Sequence, residues 1–186
     1  MKKLIHVLQN NASGKLVLVL LLITMAIYLT MIFYSIPAVV SFAPELVLFD
    51  MSPTGYSYQN ALELLGVLGP EGRSIYLTRQ LPLDFIYPGL FAITYSLLLV
   101  WLLLKSISQK SKIFYLTLVP ILAGICDYIE NIFIIVMINS FPDFSSNIVG
   151  AASLFTIMKS SFTSIFFILL LWAVFMYFKN RRNIHK

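Results

Sequence analysis

Hydrophobic residues follow one another along this chain in four long runs that are separated by shorter polar stretches. The runs cover residues 15–40, 81–104, 113–138 and 149–178. Each is longer than the roughly 18 apolar residues that predict a transmembrane helix, since a helix rises by about 1.5 Å per residue and the hydrocarbon core is about 30 Å thick. The pattern therefore predicts four membrane-spanning helices.

The stretch between the first two runs, residues 41–80, has a different pattern. Apolar residues recur there at helical spacing and polar residues occupy the opposite face, which predicts a short amphipathic helix. Such a helix either lies on the membrane surface or folds over the mouth of the bundle as a lid. The apolar positions are Tyr58, Ala61, Leu62, Leu65 and Leu68, and the polar positions are Gln59, Asn60 and Glu63.

Together these elements predict an all-α fold, a four-helix transmembrane bundle with a short amphipathic helix in the first extracytoplasmic loop. Residues 1–186 then form a single integral membrane domain, because too few residues remain outside the runs for a soluble domain of normal size. The composition agrees, since 59% of the residues are hydrophobic and 11% are charged. Soluble proteins have about 45–50% apolar and about 25% charged residues.

The net charge of +5 is distributed unevenly between the two ends of the predicted spans. If the spans alternate in direction, ten basic residues flank one side and only Arg73 and Arg79 lie on the other. Basic residues mark the cytoplasmic side, so we expect an integral protein of the bacterial inner membrane with both termini in the cytoplasm. This distribution favours membrane lipids over nucleic acid as partners. The ten residues are Lys2, Lys3, Lys15, Lys105, Lys110, Lys112, Lys179, Arg181, Arg182 and Lys186.

The third run contains two acids and an amide, Asp127, Glu130 and Asn131. Their spacing of i, i+3 and i+4 places them on one helix face. An ionisable side chain near the bilayer centre costs about 2.5–3.5 kcal/mol on insertion scales. We therefore expect this face to look into the bundle, where partners, water or a ligand meet it.

The second run opens with the segment Leu81-Pro82-Leu83-Asp84-Phe85-Ile86-Tyr87-Pro88. Tyr87 continues the Asp84 face inward, and Pro88 frees a backbone carbonyl near Asp84 because proline has no N–H group. These features predict the mouth of a pocket. A simpler alternative is that Asp84 is an acid in the first helical turn, where the helix dipole favours it.

Lys159 is the unexpected residue of the fourth run, ten residues from its start. By helical rise, Lys159 and Glu130 both lie about 13–15 Å deep, so we expect the lysine to face Asp127 or Glu130. Because there are two acids and one lysine, we expect one carboxyl to keep its proton. A row of hydroxyl residues shares the Lys159 face, namely Ser153, Thr156, Ser160, Thr163 and Ser164.

The remaining polar residues change this picture little. The histidines, His6 and His185, lie in the predicted tails, and Cys126 is the only cysteine, so we expect neither a metal site nor a cofactor. Arg73 and Arg79 are candidates to bind Asp84, Asp50 or an anionic headgroup, with ordinary surface pairing as the alternative.

The four spans, the long helical first loop, the segment from Leu81 to Pro88 and the acids of the third span resemble uncharacterised bacterial four-span membrane proteins. The layout is also similar to that of the EXPERA superfamily of sterol isomerases and sigma-type receptors. This resemblance implies an acid-lined cavity for an amphipathic, cationic or lipid-like ligand. The isomerases use an intramembrane histidine, and the predicted spans contain none, so isomerase activity is not implied.

Three functions follow from these observations. The first is a multi-pass protein whose intramembrane cavity binds a small amphipathic or lipid-like ligand. The second is a noncatalytic structural or accessory membrane subunit, in which the polar cluster fixes helix packing and association with other subunits. The third is a membrane enzyme that uses Asp127 or Glu130 as a general acid. The predicted ligand-binding residues are Asp84, Tyr87, Asp127, Glu130, Asn131 and Lys159.

Overall fold

A computed structural model describes the backbone of residues 1–184 and the side chains of residues 1–180. Within that range the fold is all-α, as predicted, and its helices are connected by two π-helical turns and two 3-10 helices. His185 and Lys186 lie outside the described residues, as do the side chains of Arg181 and Arg182. The helices are α1 (Lys2–Asn11), α2 (Gly14–Thr30), α3 (Ile36–Val40), α4 (Tyr58–Ile75), α5 (Leu81–Leu104), α6 (Val119–Asn139) and α7 (Ser146–Ile184); the π turns are Met31–Ser35 and Tyr76–Gln80, and the 3-10 helices are Phe49–Met51 and Lys112–Leu118.

Four helical segments are long and apolar enough to cross a membrane, in agreement with the four predicted runs. They are Gly14–Val40, Tyr58–Leu104, Lys112–Asn139 and Ser146–Asn180. We refer to them as the first to fourth spans.

The four spans form a bundle that is open on one side. The first span packs on the second, the second on the third, and the third on the fourth, and the second span also touches the fourth. Within the described residues, the first and fourth spans make at most marginal contact. The bundle therefore has a gap between these two spans.

The second span begins earlier than the sequence pattern indicates. Gly69 adopts φ 62° and ψ 179°, a conformation that is favourable only for glycine, and it breaks α4 into two pieces. From Pro70 the helix continues through the π turn Tyr76–Gln80 into α5. Asp84 lies in the first turn of α5, but the helix is continuous from Pro70, so the dipole at a free helix N-terminus does not account for this acid.

The helical break also determines the position of Arg73. Its Nη1 donates a hydrogen bond of 2.6 Å to the carbonyl oxygen of Leu65, a group near the end of the first piece of α4. Its guanidinium carbon lies 4.4 Å from the centre of the Phe141 ring. Arg79 instead lies 6.0 Å from the ring of Tyr34. Among the described residues neither arginine forms an ion pair with Asp50 or Asp84, so these acids are not their partners, and binding of an anionic headgroup stays a prediction.

The amphipathic helix predicted in the first loop is the first piece of α4. Ser57 and Asn60 form a reciprocal cap at its start. Its buried face packs in the same apolar cluster as residues of α6 and α7, so this piece of α4 lies against the third and fourth spans. The α4 residues of this face are Ala61, Leu64, Leu65 and Leu68, and the facing residues are Ile134, Met137, Val149 and Ala152.

The two π turns lie against each other and join the first span to the second. Ser35 Oγ donates a hydrogen bond of 2.6 Å to Gln80 Oε1, and both side chains are fully buried. Pro37 follows the first π turn, where its missing N–H group disturbs the regular helical ladder. Because π turns often occur at functional sites, this contact directs attention to the space beside it.

Candidate functional site

The polar residues of the third and fourth spans meet as the sequence predicted. Lys159 Nζ lies 2.5 Å from Glu130 Oε2 and 3.3 Å from Asp127 Oδ1. The shorter contact is an ion pair without hydrogen-bond alignment, whereas the ammonium donates an aligned hydrogen bond to Asp127. Thr156 Oγ1 donates a further hydrogen bond of 2.7 Å to Glu130 Oε1. The predicted pairing of Lys159 with these acids is therefore confirmed.

Asn131 has a different role from the two acids. Its Nδ2 donates a hydrogen bond of 2.7 Å to the backbone carbonyl oxygen of Asp84. In a regular helix the N–H group four residues later would occupy that carbonyl, but that residue is Pro88. Asn131 thus replaces the donor that Pro88 lacks and fixes the third span against the second at this level.

The second and third spans also approach each other closely beside this hydrogen bond. A Cβ atom added to Gly124 would lie only 2.8 Å from the Pro88 carbonyl oxygen and 3.2 Å from Ala92 Cβ. Only a residue without a side chain allows this separation. The proline and the glycine together bring Asp84 and Asp127 to the same space.

That space is a cavity of about 450 Å³, which is within the usual range for small-molecule sites. All four spans and the first loop contribute to its wall. Of the predicted site residues, Asp84, Tyr87, Asp127 and Lys159 line it, whereas Glu130 and Asn131 lie behind the wall. The lining residues are Tyr28, Met31, Ile32, Ile36, Asp50, Met51, Asp84, Tyr87, Phe91, Ala123, Gly124, Asp127, Lys159, Ser160, Thr163, Ser164 and Phe167.

Asp84 is the least satisfied polar group of this wall. Its side chain is part of a residue that is 4% exposed, and Oδ2 has no hydrogen-bond partner among the residues that the structure describes. A buried acceptor without a partner costs about 1–3 kcal/mol. The cavity wall therefore contains a buried carboxyl oxygen for which the described residues supply no hydrogen-bond donor.

Asp50 adds a third carboxyl to the wall, from the 3-10 helix Phe49–Met51 that precedes α4. Tyr76 Oη donates a hydrogen bond of 2.7 Å to Asp50 Oδ1, and Gln80 Nε2 donates one of 3.1 Å to Oδ2. Sequence reasoning missed this network, since it considered Asp50 only as a partner of arginine. Tyr76 and Gln80 are four positions apart and therefore share a helix face, but the polar neighbours Arg73, Thr78 and Arg79 obscure this signal in the sequence.

Aromatic and hydroxyl residues form the rest of the wall. The rings of Tyr28 and Tyr87 lie with their centres 5.6 Å apart, and those of Tyr87 and Phe91 are separated by 5.9 Å. Ser160, Thr163 and Ser164 of the predicted hydroxyl row face the same cavity. The wall is thus largely apolar, with the acids concentrated where the second, third and fourth spans meet.

Exposed residues border the cavity on the side between the first and fourth spans. Tyr28 of the first span and Phe167 of the fourth line it from opposite sides of the gap, and they are 38% and 50% exposed. Ser164 is also exposed beside Phe167. In a membrane this gap faces the lipid at the depth of the first and fourth spans.

The wall contains more acidic than basic side chains. Asp50, Asp84 and Asp127 line it, and among the described lining residues Lys159 is the only one with a basic side chain. The Lys159 ammonium is already paired with Asp127 and with the buried Glu130. The cavity therefore favours a hydrogen-bond donor or a positive group rather than an anion.

In comparisons with known proteins, no family model, no curated protein and no solved structure matches this chain. The resemblance to EXPERA proteins stays a prediction from architecture. Among the described residues, no group of three or more histidine, cysteine or acidic residues is placed to hold a metal ion. The geometry of the cavity is therefore the basis for inferring a function.

Proposed function

We propose that this protein binds a small amphipathic or lipid-like molecule in the cavity between its four spans. The observation that carries the proposal is the buried, unpartnered Oδ2 of Asp84 in a wall that is otherwise mainly apolar. A ligand with an apolar body and a hydrogen-bond donor at one end would satisfy both parts. An ammonium or a hydroxyl group is such a donor.

The position of the gap indicates how such a molecule would reach the site. Its apolar part would pass between Tyr28 and Phe167, and its polar end would lie toward Asp84 and Asp127. The hydroxyl groups of Ser160, Thr163 and Ser164 on the fourth span would lie beside the polar end of the ligand. Entry from lipid would keep the apolar part out of water throughout.

The predicted site residues divide into two groups on this proposal. Asp84, Tyr87, Asp127 and Lys159 contact the ligand, whereas Glu130 and Asn131 position them. Glu130 holds the Lys159 ammonium from behind, and Asn131 holds the carbonyl of Asp84. The positioning group agrees with the accessory-subunit alternative, in which polar contacts fix the helices alone. That alternative leaves the Asp84 carboxyl and the cavity without a role.

The enzyme alternative depends on the same residues. Asp127 faces the cavity and could meet a bound substrate, whereas Glu130 is fully buried behind Lys159. Of the two candidate general acids, Asp127 is therefore the one that geometry favours. Both the binding protein and the enzyme require that a molecule first binds in the cavity.

The proposal is tested by native mass spectrometry of the protein purified in a mild detergent. We expect the wild-type protein to retain a small molecule or lipid and the Asp84→Asn variant to retain it about tenfold less, because a hydrogen bond to a charged group contributes about 1.5–3 kcal/mol. Asp143→Asn is the matched control, since Asp143 is an exposed loop residue outside the cavity.

Thermal unfolding of both variants checks that each is folded. Equal retention by all three proteins would contradict the proposal, and so would a wild-type protein that carries nothing. Either result would favour a polar cluster that serves helix packing alone.

A further inference from the structure

The N-terminal helix α1 is an element that the sequence pattern did not predict. It packs on α5 and on the 3-10 helix Lys112–Leu118, with Ile5 and Leu8 buried between them. Gln9 Nε2 donates a hydrogen bond of 3.0 Å to the carbonyl oxygen of Gln109. The helix is thus fixed against the loop that connects the second and third spans.

A second cavity, of about 390 Å³, lies between α1 and this loop. It shares no lining residue with the acid-lined cavity. Its polar wall is formed by Lys2, His6 and Gln9 from α1, by Lys110 and Ser111 from the loop, and by Lys112 at the start of the 3-10 helix. Three ammonium groups and several hydrogen-bond donors therefore surround one space.

Among the residues that the structure describes, no carboxylate forms an ion pair with these lysines. Residues 1–44 and 85–126 contain neither aspartate nor glutamate, and in the part of the chain that the structure describes Lys159 alone is ion-paired through its side chain. The three lysine side chains are exposed to solvent. A binding partner for this cavity must carry the negative charge.

The outer face of α1 indicates where that partner lies. Met1, Leu4 and Val7 recur at i, i+3 and i+6 and are exposed. An amphipathic helix with an exposed apolar row beside lysines lies in the interface between headgroups and acyl chains. The cavity is then at the level of the lipid headgroups.

We propose that the cavity between α1 and the 105–111 loop binds the phosphate of an anionic lipid headgroup. The lysines supply the charge, and the amide of Gln9 and the hydroxyl of Ser111 supply neutral polar groups at the same wall. The acyl chains would lie along the exposed apolar row of α1. The site is separate from the acid-lined cavity, so this proposal does not depend on the function proposed above.

The experiment measures the binding of short-chain phosphatidylglycerol to the full-length protein in detergent by native mass spectrometry, with short-chain phosphatidylcholine as the neutral comparison. The wild-type protein is compared with the triple variant Lys2→Gln, Lys110→Gln, Lys112→Gln. The matched control is Lys3→Gln, Lys15→Gln, Lys179→Gln, which removes the same charge from exposed lysines that do not line the cavity. Thermal unfolding confirms that all three proteins are folded.

We expect the cavity variant to bind phosphatidylglycerol at least about tenfold more weakly, because each basic residue near an anionic lipid contributes about fivefold. The affinity of the control variant for phosphatidylglycerol should fall by less than about threefold. Equal losses in the two variants would overturn the proposal in favour of a diffuse positive surface. So would equal binding of the two lipids by the wild-type protein.

A competition experiment with inorganic phosphate distinguishes a lipid headgroup from a soluble phosphate compound as the ligand of this cavity. Bound lipid should resist displacement by phosphate at concentrations that match the lipid, because the acyl chains add apolar contacts with α1. Displacement at equal concentrations would overturn the lipid assignment and show a site for a soluble phosphate compound.

Discussion

Replacing Lys159 by methionine removes the cation from a cluster in which the two acids differ in exposure. Glu130 is 0% exposed, whereas the side chain of Asp127 is 11% exposed and lines the cavity. Removal of one partner from a buried pair costs about 3–5 kcal/mol, because the other charge stays buried without compensation. After Lys159→Met, Glu130 would keep the hydrogen bond from the Thr156 hydroxyl group but would have lost its ion pair.

A second substitution should restore part of the free energy of unfolding that Lys159→Met removes. In Lys159→Met with Glu130→Gln, no charge remains at the buried position, and the glutamine oxygen still accepts the hydrogen bond from Thr156. We expect the double variant to be more stable than Lys159→Met alone by about 1–3 kcal/mol. Lys159→Met with Asp127→Asn should recover less, since Asp127 is partly exposed to the cavity.

The assay is reversible unfolding in a fixed detergent with increasing dodecyl sulfate, followed by far-ultraviolet circular dichroism. Lys159→Met with Asp143→Asn is the control, because Asp143 is exposed in a loop and should give no recovery. The reasoning would be refuted if the losses of Lys159→Met and Glu130→Gln simply added. It would also be refuted if the Asp127 substitution recovered more than the Glu130 substitution.

Two further predictions concern the contact between the second and third spans. Asn131→Leu should lower the free energy of unfolding by about 1–3 kcal/mol, because it leaves the Asp84 carbonyl without a donor. In a Pro88→Ala background, where a helical N–H group returns, the same substitution should lower it clearly less. An equal loss in both backgrounds would contradict this account. Gly124→Ala should destabilise the protein by about 1–3 kcal/mol in the same assay, since the new methyl group meets the Pro88 carbonyl oxygen at 2.8 Å. Gly150→Ala is its control, because nothing lies within 4 Å of the added Cβ atom, and a similar loss at both glycines would reject close helix approach as the cause.

The position of the polar residues along the spans was predictable from the sequence. A span of known direction converts sequence number into depth, and for this reason Lys159 and Glu130 could be placed at one level. The spacing of Asp127, Glu130 and Asn131 likewise determines that they share a helix face. These inferences need only the geometry of a single helix and the cost of charge in lipid.

Helical periodicity could not show which of these residues face the cavity. Glu130 and Asn131 share a face with Asp127, but the neighbouring helices enclose the first two and leave the third at the wall. That outcome depends on how far each helix is rotated and how closely it approaches its neighbour. Gly124 and Pro88 set this approach through contacts between residues far apart in the chain.

The sequence by itself determined the four spans, the depth of the charged residues and the need for partners within the bundle, because these follow from hydrophobicity and helical rise. Only the tertiary structure decided that Asp50 joins the wall through Tyr76 and Gln80 and that the bundle opens between the first and fourth spans. It also placed α1 against the 105–111 loop. The reason is that loop paths and helix rotations are set by packing between distant segments, which no local pattern records.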